Sequence, residues 1–289
     1  MIMFSIVIPT YNRKDSLLRA INSIYNQSFT NWEILIVDNF SNDGTKEMIQ
    51  GLNNNKVKFF EIHNEGIIAS SRNKGIKEAR GEYITFLDSD DWWKKNKLEK
   101  IFQYTNDNYD FIYHKMEIVK NYKKTIFKSY IYSWQVKSIV RECLVYNGNP
   151  IVTSSVAVKS SLIKNINGFS EDKELIAAED FDCWLRISLL SERFKYIDDS
   201  LGYWLQGDNT SNPMLSLKFL KRLKELHFGE FDIDPIWWQY SLARSKYLLK
   251  KEDAIDDLQK LSKQNISFTI KIKVLFMLFY LRLINFKLG

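Results

Sequence analysis

Along the first third of the chain, short, mostly apolar runs alternate with stretches whose apolar residues recur at helical spacing. Residues 4–8, 32–37, 57–62 and 83–87 are mostly apolar, β-branched or aromatic and end at turn residues, so they read as strands. Between them, residues 15–25 put Leu17, Leu18, Ile21, Ile24 and Tyr25 on one helical face, with Asp15 as the N-cap. Thr45 opens a second helix after the turn Ser41-Asn42-Asp43-Gly44. Residues 68–79 form a third, closed by Gly81. Strands and helices alternating through short connections predict an α/β fold, with a mostly parallel central sheet and helices on both faces.

After Trp92 the pattern loosens. Residues 98–105 read as helix and 111–113 as strand. Residues 154–158 read as another strand. Residues 181–190 read as a helix with Phe181, Trp184, Leu185 and Leu189 on one face. Residues 121–140 show no period and stay unassigned. From Pro213 to the end the pattern is helical.

Composition narrows the class. At 45% hydrophobic and 15% aromatic over 289 residues, a sizeable core is expected and global disorder is excluded. Cys143 and Cys183 make neither a disulfide framework nor a CxxC metal site, which fits a reducing compartment. The first residues lack a basic n-region, so no signal peptide is read.

Charge is unevenly placed. Residues 216–289 hold 14 Lys and Arg against 8 Asp and Glu, a net of +6 that equals the charge of the whole chain. In the last stretch, residues 268–287, basic residues bracket large apolar ones, and the uninterrupted apolar run from Val274 to Leu281 is eight residues long. A spanning helix needs about 20. The pattern fits a helix lying on a membrane surface. A helix packed on the protein's own core, or in a homodimer contact, is the other reading. Nucleic acid is not expected there, because the basic residues alternate with apolar ones instead of clustering.

The strongest chemical signal is Asp88-Ser89-Asp90-Asp91, directly after the fourth strand. Open α/β sheets bind ligands at the carboxyl ends of their strands. Clustered carboxylates there suit a hard cation, Mn²⁺ or Mg²⁺, that shares its coordination with phosphates. An acidic turn leading into the next helix is the plain alternative.

Five segments in order resemble the motifs of family-2 glycosyltransferases: residues 4–13 ending Pro9-Thr10-Tyr11-Asn12-Arg13; Asp38-Asn39; Asn42-Asp43-Gly44-Thr45; Ser71-Arg72-Asn73-Lys74-Gly75; and Asp88-Ser89-Asp90-Asp91. The match covers about the first 100 residues and continues more weakly to about residue 211. The resemblance implies a GT-A fold, a Rossmann-like nucleotide-binding domain with a C-terminal helical region appended. Residues 1–100 would be its nucleotide-sugar-binding half, 101–212 its acceptor-binding half, and 213–289 a basic, mainly helical region. It also implies a nucleotide-sugar donor held by Pro9, Thr10, Tyr11, Asn12, Asp38, Asn39, Arg72, Asp88 and Ser89. Asp90 is then the ligand to Mn²⁺ or Mg²⁺. Asp88 would face the ribose or the metal's shell. Asp91 would hold a metal-bound water or cap the following helix. Arg72 would contact base or diphosphate, a surface salt bridge being the bland reading.

One departure stands out. The family usually carries Asp-Asp where this chain has Asp38-Asn39, and the second carboxylate is expected to accept from the uracil N3–H. An Asn oxygen can still accept that bond, so a UDP-sugar remains the expected donor. In the second half, Ala178-Glu179-Asp180-Phe181-Asp182 follows a Gly168-Phe169 stretch similar to the family's approach to the acceptor. The resemblance makes Asp180 the general base of an inverting transfer, with Glu179 and Asp182 at the acceptor. A His usual after the base has Gln206 near its place, so no third protein metal ligand is assigned. Family members of this size commonly add one sugar to polyprenyl-diphosphate-linked acceptors in O-antigen or capsule synthesis. The expected location is therefore cytoplasmic, peripheral to the inner face of the cell membrane. Processive relatives carry spanning helices and a QxxRW motif, which are not found. A nucleotidyltransferase would want a Gly-rich basic loop where this chain has Pro9-Thr10-Tyr11-Asn12. A non-catalytic sugar-nucleotide-binding protein would be expected to lose Asp90 or Asp180, and both are present.

Overall fold

The computed structural model describes residues 2–120, 128–207, 212–231 and 234–287. Their contacts gather into two units.

The larger unit takes in the described residues of 1–140, 150–171 and 179–209. It is built on one sheet. The first elements are β1 (Phe4–Thr10), α1 (Lys14–Tyr25), β2 (Trp32–Asp38), α2 (Thr45–Gly51), β3 (Val57–Glu61), α3 (Ile68–Glu78) and β4 (Tyr83–Phe86). There follow β5 (Trp92–Trp93), α4 (Lys97–Thr105), β6 (Phe111–Lys120), β7 (Ser129–Tyr130), α5 (Val140–Asn147), β8 (Ala157–Lys159), α6 (Ser160–Asn165), α7 (Glu179–Ile187) and β9 (Phe194–Gln206). The sheet order is β3-β2-β1-β4-β8-β6-β9-β5, with β7 added on β6.

The first four strands are parallel, as their alternation with helices requires. Every residue of β1 and β2 is buried, which explains why they read as mostly apolar runs without alternation. Past β4 the sheet is mixed. β8 runs antiparallel to β4 and β6, while β6 and β9 pair in parallel through an irregularity at Lys115. That irregularity, and polar residues inside β6 such as His114 and Glu117, hide the strand's ten-residue length from a periodicity reading. Ile6, Ile8, Leu17, Ile21, Ile34, Ile36 and Leu87 join the core between sheet and helices.

Several local expectations are corrected. Asp15 does not cap α1; it lies in the first turn. The first amide of α1, Lys14 N–H, donates instead to Asp43 Oδ2 at 2.9 Å, and Asp43 Oδ1 accepts from Thr45 N–H at 3.2 Å. One carboxylate from the β2–α2 turn thus serves the starts of two helices. Gly81 does not end α3 in a left-handed turn, because the helix stops at Glu78 and Ala79 is extended. Its need for glycine is steric: a Cβ there would stand 2.5 Å from the backbone nitrogen of Ser5. Ser154 and Ser155 belong to a 3₁₀ turn and not to β8. α7 ends at Ile187, leaving Leu189 exposed, while Phe181, Trp184 and Leu185 are buried as expected. Of the unassigned stretch 121–140, residues 121–127 lie outside the described residues.

The second unit takes in residues 141–149, 172–178 and the described residues from 212 onward. Its helices are α8 (Pro213–His227), α9 (Ile236–Leu248), α10 (Ala254–Ser262) and α11 (Phe268–Lys287), following most of α5. Pro213 opens α8 behind an Asn212 side chain that accepts from the amides of Met214 and Leu215 at 3.0 and 3.3 Å. Ala243, Leu258, Leu261, Val274, Met277 and Leu278 form the core that α9, α10 and α11 share. Among the described residues no helix is long and apolar enough to cross a membrane.

Candidate active site

Three chain segments meet at the carboxyl end of the parallel strands: the β1–α1 turn, the β2–α2 turn and the run after β4. A cavity of about 270 Å³ opens there. Pro9, Thr10, Tyr11, Asn39 and Ser89 line it, all expected at the donor, together with Arg13, Asn64, Gly66, Ile68 and Ser71, which had no assigned role. Tyr11 is exposed, so its ring is free to pack on a ligand. Thr10 is buried, and its Oγ1 lacks a hydrogen-bond partner.

The other expected donor residues are engaged in building this pocket. Asp38 is fully buried and accepts from Ser41 N–H at 2.8 Å and from the Ser41 hydroxyl. Ser41 Oγ in turn accepts from Asn12 N–H at 2.8 Å, and Asn12 Oδ1 accepts from Asn42 N–H at 2.9 Å. Asn12 holds a left-handed backbone, φ 48°, which Asn tolerates better than most residues. Asn39 N–H donates to Thr10 O at 3.0 Å, and Asn39 Oδ1 accepts from Asn64 N–H at 3.0 Å. The Asn at this position therefore ties the second turn to the β3–α3 loop.

Asp88, Ser89, Asp90 and Asp91 diverge. Asp88 Oδ1 accepts from Arg72 at 2.9 Å, and its amide donates to Ser154 Oγ at 3.0 Å. Ser89 is buried against the cavity. Asp90 is partly exposed and ion-paired with Arg13. Burial raises its carboxyl above the usual range and Asp88 adds to that, while Arg13 opposes. Asp91 neither caps α4, which starts six positions later, nor faces solvent. It is buried and accepts from Leu205 N–H at 3.0 Å, fastening β9 behind the motif, and burial drives its carboxyl well above the usual range.

Arg72 is no surface residue. It is 3% exposed, donates to Asp88 at 2.9 Å and to Glu179 Oε1 at 2.7 Å, and lies 5.2 Å from the centre of the Phe169 ring. Burial works against its charge, but the two carboxylates outweigh this and hold it above its ordinary value. Its Nε and the Glu179 Oε2 are buried without partners, so the bridge keeps polar atoms in reserve.

Asp180 sits beside this bridge at the start of α7. Burial raises its carboxyl to about 7, and the charge of Glu179 adds to the rise; Arg72, the Phe181 amide at 2.6 Å and Thr153 Oγ1 at 3.3 Å pull the other way. Asp182, expected at the acceptor, turns into the protein instead. It is 2% exposed and accepts from Arg186 Nε at 2.8 Å, and Arg186 also donates to the carbonyls of Ile166 and Gly168. Asp182 thus braces the loop that carries Phe169.

Reading the sequence missed Lys97. It is fully buried, donates to Thr85 Oγ1 at 3.0 Å and to Ser154 O at 3.4 Å, and lies 3.2 Å from the centre of the Trp93 ring. Burial drives its amine well below the ordinary range. It supports the serine that receives the Asp88 amide. A lysine followed by a leucine and a glutamate looks like any first turn of a surface helix, so no signal marked it.

Comparison with known proteins agrees with this architecture. The family model "Glycosyl transferase family 2" matches residues 5–166. An Escherichia coli relative, "UDP-Glc:alpha-D-GlcNAc-diphosphoundecaprenol beta-1,3-glucosyltransferase WfgD", is 35% identical over 86% of this chain and 91% of its own length. Against other curated relatives the match is partial and spans 30 to 41% of their length. Among solved structures, S. aureus TarS 1-349 in complex with UDP-GlcNAc superposes with a TM-score of 0.66 at 21% identity, over 91% of this chain and 81% of that one. The mannosyltransferase PcManGT from Pyrobaculum calidifontis, in complex with GDP-Man and Mn²⁺, reaches 0.57 at 16% identity over 94% and 78%. With the DxD-type run after β4 and an acidic helix start facing it across Arg72, the chain belongs to the family-2 glycosyltransferases.

Proposed function

We propose that this glycosyltransferase moves one sugar from a nucleotide-sugar, a UDP-sugar first, to a hydroxyl of a polyprenyl-diphosphate-linked glycan, with inversion, in bacterial surface-polysaccharide synthesis. The observation that carries the reading is the place of Asp180, at the start of α7 beside the Asp88–Arg72–Glu179 bridge, where burial raises its carboxyl to about 7. A base works best when its pKa lies near the working pH. Asp180 would take the proton from the acceptor hydroxyl as that oxygen attacks the anomeric carbon and the nucleoside diphosphate leaves. Glu179 Oε2, buried and unpartnered, is suited to accept from a second acceptor hydroxyl.

On the donor side, Pro9, Thr10, Tyr11, Asn39 and Ser89 would enclose the nucleoside, with Thr10 Oγ1 available to it. Asp38 and Asn12 would act through the loop they fix. Arg72 would position the two halves of the site instead of touching the diphosphate. For Mn²⁺ or Mg²⁺ the donor set fits. Asp90 is a partly exposed carboxylate with Asp88 two positions away, and among the described residues no cluster of three ligating side chains exists. Such a cation takes one or two carboxylates and completes its shell with phosphate oxygens and water. Bound there, it would supply positive charge to the departing diphosphate. An acceptor on a lipid carrier places the enzyme at the cytoplasmic face of the cell membrane.

A donor panel tests this: hydrolysis and thermal shift with UDP-, GDP- and dTDP-sugars, each with Mn²⁺ and with EDTA. A metal-dependent response to one UDP-sugar supports the reading. A response to GDP- or dTDP-sugars alone overturns the uracil assignment, and binding without turnover in the presence of acceptor overturns catalysis.

A further inference from the structure

Helix α11 has two apolar faces and only one of them is covered. Val274, Met277 and Leu278 are buried against α9 and α10. On the other side Phe268, Ile272, Leu275, Phe276, Phe279 and Leu283 are 47 to 78% exposed. At about 100° per residue these six fall into one strip along the helix. Lys271 and Lys273, both exposed, lie on opposite flanks of that strip. A face of this kind is costly to leave in water.

We infer that this strip docks the protein on an anionic lipid bilayer, with α11 lying in the plane of the interface and its flanking lysines at headgroup level. Charge selects this occupant. After Asp257 the chain has Lys260, Lys263, Lys271, Lys273, Arg282 and Lys287 and no acidic residue. A second copy docked face to face would set these cations against one another, whereas an anionic surface neutralises them. Lysine stems can lie along the apolar boundary while their ammonium groups reach phosphate. Spanning is ruled out by length: the eight uninterrupted apolar residues from Val274 to Leu281 rise about 12 Å, against the ~30 Å of a bilayer core. The inference deepens the membrane placement proposed above, but it stands on the helix face and its charge, and so fails separately from the transferase reading.

The test is co-sedimentation of the full chain with vesicles of phosphatidylcholine alone and of phosphatidylcholine mixed with phosphatidylglycerol. The wild type should sediment with the mixed vesicles and be released by added salt. The variant Phe276→Asp/Phe279→Asp should lose binding by about tenfold or more. Lys271→Glu/Lys273→Glu should lose on the order of tenfold on mixed vesicles only. All four side chains are exposed, so melting curves should match the wild type. If the aspartates do unfold the chain, Phe276→Ser alone replaces them. UDP-sugar hydrolysis should be unchanged in each variant. Equal binding to both vesicle types, or full binding by the aspartate variant, overturns the inference. A concentration-dependent dimer that the aspartates dissolve, without vesicle binding, gives the face to a second copy instead. Vesicle binding without any sugar-nucleotide hydrolysis leaves the docking surface standing and removes the donor reading.

Discussion

The Arg72 guanidinium donates to Glu179 Oε1 at 2.7 Å across 107 positions of sequence. Its other terminal nitrogen donates to Asp88 at 2.9 Å. One buried cation therefore joins the DxD-type run after β4 to the start of α7, where Asp180 lies. Such a bridge depends on a planar fork that reaches two carboxylates at once.

Arg72→Lys should keep the charge and lose the fork. Either Asp88, whose side chain is partly exposed, or the buried Glu179 then loses its partner. Turnover is expected to fall on the order of a hundredfold, from a misplacement of the base of about 1 Å. Arg72→Ala should also destabilise the fold by ~3–5 kcal/mol, because it strands two carboxylates. Transfer kinetics and urea melts check both. A lysine variant with wild-type turnover would show that the bridge does not position the site.

Asp180→Asn should abolish transfer and leave donor binding intact, since the residue is proposed to serve the acceptor and does not line the donor cavity. In the wild type, Asp180 must be ionised to accept a proton, so kcat/KM should fall about tenfold per pH unit below about 7. Stability moves the opposite way. The folded carboxyl is raised to about 7 from 3.8, so its proton favours the folded state. That contribution is complete below about pH 4 and is lost as pH rises through about 7. Asp180→Asn should accordingly melt higher than the wild type at pH 8 and match it near pH 4. A flat difference between the two melting profiles would remove the burial argument.

What could be read from the sequence was what is contiguous in it. The strands β1, β2 and β4 are mostly apolar runs because all their residues are buried, and Asp88 to Asp91 follow one another directly. The pairings that give these residues their tasks are not contiguous. Nothing near Arg72 in sequence names Glu179 as its partner, and nothing near Asp91 points to Leu205. Asp43 looks like a turn residue, and only the fold brings the first amide of α1 to it. Asp182 was misread because an acidic trio at a helix start looks uniform; in three dimensions successive helical residues point about 100° apart, so Asp182 faces Arg186 while Asp180 does not. Gly81 carries a turn-like signature for a steric reason, the backbone of Ser5.

Gly168→Ala should be severe for its size. Gly168 has φ +73°, and a Cβ there would collide with Asn73 Oδ1. That oxygen accepts from Phe169 N–H at 2.8 Å, which sets the ring against Arg72. Left-handed strain alone costs about 1–2 kcal/mol. The collision should add loss of activity through Phe169 and Arg72. Gly148→Ala is the control, since its φ is +84° and the nearest atom to a Cβ there, in the Trp237 ring, stands 3.4 Å away. It should show a similar backbone cost and no effect on turnover through Arg72. Equal damage in both would mean that backbone strain accounts for the whole effect.

Arg13 is paired with Asp90, the carboxylate proposed to hold the metal, and lines the same cavity as Ser89. A guanidinium and a divalent cation compete for one carboxylate, so metal binding should require Arg13 to let go. The pair is half-exposed, with side chains 48% and 28% accessible, and such pairs are worth about 1 kcal/mol or less. Arg13→Gln should therefore tighten Mn²⁺ binding by up to about fivefold, read by electron paramagnetic resonance in the absence of donor. Once a sugar-nucleotide is present the released arginine is free to meet the diphosphate, so the same variant should bind donor more weakly even as it binds metal more tightly. Asp90→Asn separates the two ideas. If it leaves Mn²⁺ binding unchanged, Asp90 is not the ligand. If it abolishes binding while Arg13→Gln changes nothing, Asp90 stands and the competition does not.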